Sequence, residues 1–373
     1  MSAKKRNYLD FPVGFLEGSG LSSTSKLYRK FISICFFLPI TFFLVYLVVR
    51  KFWDEKRDIL LIAEVFESLT TCAHLLSRKY VMFVHGNLIK EVIKDREACF
   101  WDYNMFGVEY GGTLQKKMII CTRIIKIVVS GGVVTVILFC LTTIFDEKKV
   151  VPLICWTPDD KLLTGLIYAI EVLVMLEIMY VLLSLDNFYL LICTDLRIQF
   201  ILLQDMIKTV KFGEGSNQKA LTKIIRCTQH HEFLLRFHGK INKIFSFYFI
   251  VLYVVTVACA SMHSYIILFR SPSFGDSVKS ICYLVGMLFQ VGLYFIITSN
   301  IEIEAENLSG EIYNINWEAT DSLKVRKHIL FMLMKSQEPL SITGGGMLHV
   351  NRNEYVVLCR LAYSIATILG GMT

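Results

Sequence analysis

Long apolar runs alternate with short polar connectors along this chain, and the run lengths set the first expectation. About twenty mostly apolar residues are needed to cross a roughly 30 Å hydrocarbon layer with every backbone hydrogen bond closed inside the helix. Seven segments meet that need: Phe31–Val49, Ile59–Leu76, Ile119–Phe145, Leu162–Leu182 with an apolar continuation to Cys193, Ile244–Phe269, Ile281–Ile301 and Tyr355–Leu369. The second and the last are short or polar for a span. Between Asp195 and Lys243 the pattern changes to amphipathic. Leu196, Ile198, Leu202, Leu203, Met206 and Ile207 recur at roughly helical spacing, as do Leu221, Ile224 and Ile225. Helices four and five are therefore expected to continue beyond the membrane, although a separate helix lying on the membrane surface gives the same pattern. Pro39 is expected to bend the first span. Gly344, Gly345 and Gly346 are expected to form a flexible turn before the last one. The connector from Asp146 to Lys161, with Pro152, Trp156 and Pro158, reads either as a structured lid or as a plain hairpin with an interfacial tryptophan.

Composition agrees with a membrane protein: 54% of residues are hydrophobic and 19% charged, against about 45–50% apolar in soluble domains. The fold class expected is all-α, with seven transmembrane helices. Charge sets the orientation. With the N-terminus in the cytoplasm, inside segments hold 24 Lys and Arg and outside segments nine, so a cytoplasmic N-terminus and an extracellular C-terminus are expected. That is the reverse of a G-protein-coupled receptor. Lys4, Lys5 and Arg6 are not followed by a short apolar core and a cleavage site, so the first span is expected to act as the insertion signal. The net charge of +7 lies mostly in cytoplasmic loops facing lipid headgroups, and no nucleic-acid signal is present. Eleven cysteines lack metal-ligand spacing. Cys155 and Cys282 both fall toward the outside and are candidates for pairing.

No catalytic constellation stands out, and no enzyme activity or cofactor is expected. The glycine run lacks the Lys-Ser/Thr of a phosphate loop. The outer halves of the spans are more informative. Tyr168, Glu171, Val172 and Met175 share one face of the fourth span, and Tyr283, Met287, Gln290 and Tyr294 one face of the sixth. Ser68, Thr71 and Cys72 make a polar stripe on the second, and Gly132, Val136 and Cys140 a narrow one on the third. Such stripes serve helix packing as readily as a pocket. If they converge, they enclose a mostly apolar cavity with a few hydrogen-bonding groups, suited to a small volatile molecule. Glu171 and Glu177 lie within the fourth span, where an ionisable group needs a reason. For Glu171 the two readings are an interhelical hydrogen bond and a ligand contact.

From Asn307 onward the chain carries acidic residues after an apolar span, Ile312-Tyr313 with Trp317 behind, Ser336-Gln337-x-Pro339, the glycine run and Ala362-Tyr363-Ser364 in the last helix. In order and spacing this resembles the odour-binding subunit of the insect odorant receptor family. The resemblance implies a ligand-gated, non-selective cation channel in the dendritic plasma membrane of olfactory neurons. It implies a heterotetramer with the family's co-receptor, and odorant bound between the second, third, fourth and sixth helices. Residues 1–373 would form one membrane domain, with 195–243 and 302–350 contributing a cytoplasmic anchor and 351–373 the pore-lining helix. Carried over from the C-terminus, Ser364, Ile368, Gly371 and Met372 would line the pore, and Ile368 and Met372 would close it. A gustatory-type homomer of the same superfamily is the alternative. Such receptors usually carry Thr-Tyr and a later Gln-Phe in this helix, where the present chain has Tyr363-Ser364 and no Gln.

Overall fold

The computed structural model of the chain describes Gly14, Leu16 and residues 27–54, 59–145, 153, 155–212, 217–270, 274–320 and 322–371. Its principal elements are helices. The first, α1, runs through Leu27–Ile32, a π-helical stretch Ser33–Phe37 and Leu38–Asp54. It is followed by α2 (Ile59–Val84), α3 (Gly86–Cys99), α4 (Val108–Phe145), α5 (Lys161–Lys208), α6 (Asn217–Phe269), α7 (Phe274–Tyr313) and α8 (Leu323–Ser336). A two-residue hairpin, β1 (Thr343–Gly344) with β2 (Leu348–His349), leads into α9 (Arg352–Gly371). Ahead of Pro39, where a bend is expected, the helix carries a π-helical turn. Proline has no N–H and its ring presses on the carbonyl four residues earlier. The preceding turn has widened, so that the Leu38 N–H bonds to the Ser33 carbonyl, five residues back.

Five helices are long and apolar enough to cross a membrane among the described residues: Tyr28–Asp54, Lys161–Lys208, Gln218–Phe269, Ser280–Ala319 and Arg352–Gly371. The other two expected spans are α2 and α4, of 26 and 38 residues. The second expected span ends at Leu76, whereas α2 continues to Val84 through Arg78 and Lys79. Those cations are tolerated because each is turned inward onto a carboxylate of α5. Arg78 meets Asp186 at 3.0 Å and Lys79 meets Glu177 at 2.7 Å.

Helix α5 is the axis of the bundle. From Ser184 to Leu196 every residue is buried, as expected of a helix apolar nearly all round. An aromatic block formed by Tyr189, Phe245, Tyr248, Phe249 and Tyr294 packs around it, with Tyr189 and Phe245 rings 4.6 Å apart and Tyr189 and Tyr294 rings 5.1 Å apart. Beyond the apolar stretch, the amphipathic residues Leu196, Ile198, Leu202, Leu203 and Ile207 are buried in protein. This removes the surface-helix alternative for that part of the chain. Polar cross-links fix the extension: Arg96 and Tyr103 both bind Asp195, Tyr110 donates to Asp205, and Arg197 pairs with Glu304 at 2.8 Å. Burial, followed by the bond to Asp205, raises the Tyr110 phenol above its ordinary range.

The glycine run is ordered rather than flexible. Gly345 and Gly346 have φ of 59° and 75°, the left-handed turn that closes the hairpin. Asn242 and Ser246 of α6 accept from the Thr343 and Gly345 N–H groups at 2.8 Å. A Cβ on Gly345 would sit 2.3 Å from Ile250 Cδ1. The hairpin thereby holds the start of α9 against α6.

Candidate functional site

Four helices of the bundle, α2, α4, α5 and α7, enclose a cavity of about 430 Å³, within the range of small-molecule sites. Its walls differ in chemistry. On α2 the lining positions Glu67, Thr71, His74 and Arg78 recur every three or four residues along one face, and α7 adds Tyr283 and Gln290. Opposite them, α4 contributes Ile127, Val128, Gly131, Gly132 and Val136, and α5 contributes Met175, Ile178, Met179 and Leu182. A ligand here meets hydrogen-bonding groups on one side and aliphatic or thioether surface on the other.

The polar wall ends in a buried charge network. Arg78 donates from Nε and Nη2 to the two Asp186 oxygens, both at 3.0 Å, and from Nη1 to the His74 carbonyl at 3.2 Å. Gln290 Nε2 donates to Asp186 Oδ2 at 2.6 Å. The Arg78 guanidinium also lies 5.1 Å from the Tyr248 ring centroid. Such a fork uses the planar geometry of arginine. It fixes the direction in which Arg78 and Gln290 present their remaining groups to the cavity.

The apolar wall owes its shape to glycine. A Cβ on Gly132 would lie 2.6 Å from Met179 Cε and 3.1 Å from its sulfur. The missing side chain is what lets the thioether of α5 reach across to α4.

The other end of the cavity is capped by the connector before α5. Leu153 lines the cavity and donates its N–H to Glu171 Oε2 at 2.9 Å. The Trp156 N–H bonds to the Leu47 carbonyl at 3.1 Å, and the Arg50 guanidinium sits 3.6 Å over the Trp156 ring. The described part of the connector is thus a pinned lid rather than a plain hairpin.

Of the residues expected from helical spacing, Thr71, Gly132, Val136, Met175, Tyr283, Met287 and Gln290 line this cavity. Ser68 and Cys72 are buried beside it, and the Ser68 hydroxyl donates back to the Glu64 carbonyl. The inward face of α2 is rotated toward Glu67 and His74. Glu171 is wholly buried and holds the lid backbone instead of facing the cavity. Tyr168 and Val172 are half-buried, off the lining face. Tyr294 lies in the aromatic block, 5.9 Å from the Tyr248 ring. The Cys140 side chain lies outside what is described. Cys155 and Cys282 are both free thiols, the first buried and the second exposed. The pairing considered for them is absent.

Glu67, His74 and Arg78 were not among the expected lining residues, yet Glu67-x3-Thr71-x2-His74-x3-Arg78 is a polar helical stripe in the sequence. On α9, Leu358, Ala362 and Ala366 are buried, and Ser364, Ile368 and Gly371 lie on the exposed side. Met372 is outside the described residues.

Three comparisons bear on what this bundle is. The structure superposes on the insect olfactory receptor OR5 from Machilis hrabei in complex with eugenol, with a TM-score of 0.80, 14% identity and 98% of each chain covered. Without eugenol the values are 0.78 and 16%, with 99% of this chain and 98% of that chain covered. In sequence, the chain is 24% identical to Odorant receptor 85a of Drosophila melanogaster over 221 residues, which is 58% of this chain and 53% of that one. It is also 24% identical to Odorant receptor 10 of Aedes albopictus over 177 residues, 46% of each. The chain spans about half the length of the curated relatives it matches. The family model described as 7tm Odorant receptor matches residues 58–363, most of the chain, and by that match this protein belongs to the odorant receptor family.

Proposed function

We propose that this chain is the odour-tuning subunit of an odorant-gated, non-selective cation channel, and that its ligand occupies the cavity between α2, α4, α5 and α7. The carrying observation is the two-sided cavity inside the membrane bundle. It favours a small volatile with an apolar body, seated on Met175, Met179 and Val136, and one hydrogen-bonding group directed at Thr71, Tyr283 or Gln290. The solved relative bound to eugenol, itself a small aromatic, is in keeping with this reading.

Ligand binding shifts a closed–open equilibrium only by the difference in its affinity for the two states. The structure offers a short mechanical route for that difference. Leu288 stands between the cavity residues Met287 and Phe289, and its carbonyl accepts from the Tyr355 hydroxyl of α9 at 3.1 Å. The ring enters a notch at Gly292, where a Cβ would come within 3.3 Å of it. A shift of α7 around an odorant is thus passed to the helix that would line the pore with Ser364, Ile368, Gly371 and Met372. The partner in this reading is the family's co-receptor, in a heterotetramer of the olfactory dendrite membrane.

Co-expression tests it. Cells carrying this chain with an insect co-receptor are exposed to a panel of volatiles under G-protein block. A rapid cation current in those cells alone is expected. A current that persists without the co-receptor points to a homomer, and one lost under the block overturns the channel reading.

A further inference from the structure

A second and larger recess, of about 580 Å³, opens on the lipid-facing side of the bundle between α1, α2 and α6. It lies on the opposite side of α2 from the odorant cavity, lined by Ala73, Leu76 and Ser77 where the cavity uses Thr71, His74 and Arg78. Its walls are largely aromatic. Phe42, Tyr80, Phe83 and Phe247 line it and are exposed in the chain, with the Tyr80 and Phe247 rings 4.8 Å apart.

One polar group in this recess has no local explanation. Ser33 is 4% exposed, and its hydroxyl has no hydrogen-bond partner among the described residues. A helical serine or threonine ordinarily bonds back to a carbonyl one turn earlier, as Thr41, Ser68 and Thr70 do here. Ser33 opens the π-helical stretch imposed ahead of Pro39 and lacks that bond. A buried hydroxyl left without a hydrogen bond is destabilising, and π-helical bulges recur at functional sites. The charged group in the wall, Lys79, is committed to Glu177 at 2.7 Å, with both side chains less than a tenth exposed. The recess therefore offers flat ring faces, one unsatisfied hydroxyl and no uncompensated cation in its lining.

We propose that the recess is a binding site for a membrane sterol, whose single hydroxyl hydrogen-bonds Ser33 while its rigid ring system lies against Phe42, Tyr80, Phe83 and Phe247. A phospholipid head brings a phosphate, for which the lining has no free cation. A sterol brings one neutral hydroxyl and a planar body.

The test uses the purified full-length chain in its channel assembly, reconstituted in phosphatidylcholine vesicles with a photoactivatable sterol, followed by peptide mapping. Labelling is expected on the α1, α2 and α6 residues of the recess, competed by cholesterol and not by added phosphatidylcholine. Ser33→Ala should reduce the competed labelling by about five-fold, the size of one neutral hydrogen bond. Ile34→Trp, at a lipid-exposed lining position, should fill the recess and abolish labelling without burdening the core. Labelling spread over the lipid-facing surface, labelling competed equally by phosphatidylcholine, or labelling unchanged in both variants overturns the proposal. None of these outcomes depends on which odorant opens the channel.

Discussion

Asp186→Ala is the substitution with the largest calculable consequence. Three donors converge on this carboxylate: Arg78 Nε and Nη2 at 3.0 Å each, and Gln290 Nε2 at 2.6 Å. The side chains of Arg78 and Asp186 are 3% and 7% exposed. Removing Asp186 leaves a guanidinium at the centre of the bundle, held among the described residues by the His74 carbonyl and the Tyr248 ring. Breaking a buried pair in this way costs about 3–5 kcal/mol. That overlaps the cost of roughly 2.5–3.5 kcal/mol for an unpaired charge at the middle of a membrane helix. The folded population relative to the unfolded should fall by roughly a hundred- to a few thousand-fold. The assay is the yield of monodisperse protein and its thermal midpoint in detergent. The paired replacement Arg78→Met with Asp186→Leu removes both charges, and should recover all but about 1 kcal/mol, since Gln290 has lost an acceptor. Parent-like stability of Asp186→Ala, or a double variant no better than the single, would refute the assignment of this pair as a structural ion pair.

Three further outcomes are expected. Gly132→Ala places a methyl where Met179 now lies, and the flexible thioether should swing into the cavity. Dose–response curves should then shift against bulky volatiles and spare small ones, with unchanged surface expression. Tyr355→Phe keeps the ring in the Gly292 notch and removes the bond to Leu288, so odorant efficacy should drop while equilibrium odorant binding holds. On the extension of α6 outside the apolar span, burial first, with Arg226 adding to it, lowers His230 to about 3, and burial lowers His231 and His238 to about 4. Because the folded state depresses these values, their contribution is complete above about pH 6.5 and drains away as pH falls toward 3–4. His230→Phe, which preserves stacking on Trp101 at 3.9 Å, should flatten the acid limb of a thermal-midpoint curve.

Apolar periodicity made the seven spans legible, because a membrane helix must be long and self-satisfied. It also exposed the long extension of α5, whose amphipathic residues needed something to pack on. Polar partnerships were harder to read. In the sequence Arg78 and Lys79 interrupt the apolar run beyond Leu76, and only the fold shows them paired with Asp186 and Glu177 of another helix. Glu67, Thr71, His74 and Arg78 share one face of α2, and the fold turns that face to the cavity in place of the one carrying Ser68 and Cys72. Helical spacing shows which residues share a face, as with Tyr168, Glu171 and Met175, but not which neighbour that face meets. For Glu171 the neighbour is the Leu153 backbone, and for Tyr294 an aromatic block. The glycine run looked flexible because nothing in the sequence reveals that Asn242 and Ser246, about a hundred positions away, anchor its backbone.

The claim at the centre of this account is that ligand and cavity are one site, and Cys282 allows a direct test. Its thiol is free, exposed and part of the lining, whereas Cys99, at the far end of α3, is free and exposed but remote from it. The modification rate of both thiols by a small thiol reagent is measured on the assembled channel, with and without an activating volatile. Slowing at Cys282 with an unchanged rate at Cys99 is the predicted result. Equal rates at Cys282 with and without a saturating agonist would contradict the assignment of this cavity as the ligand site.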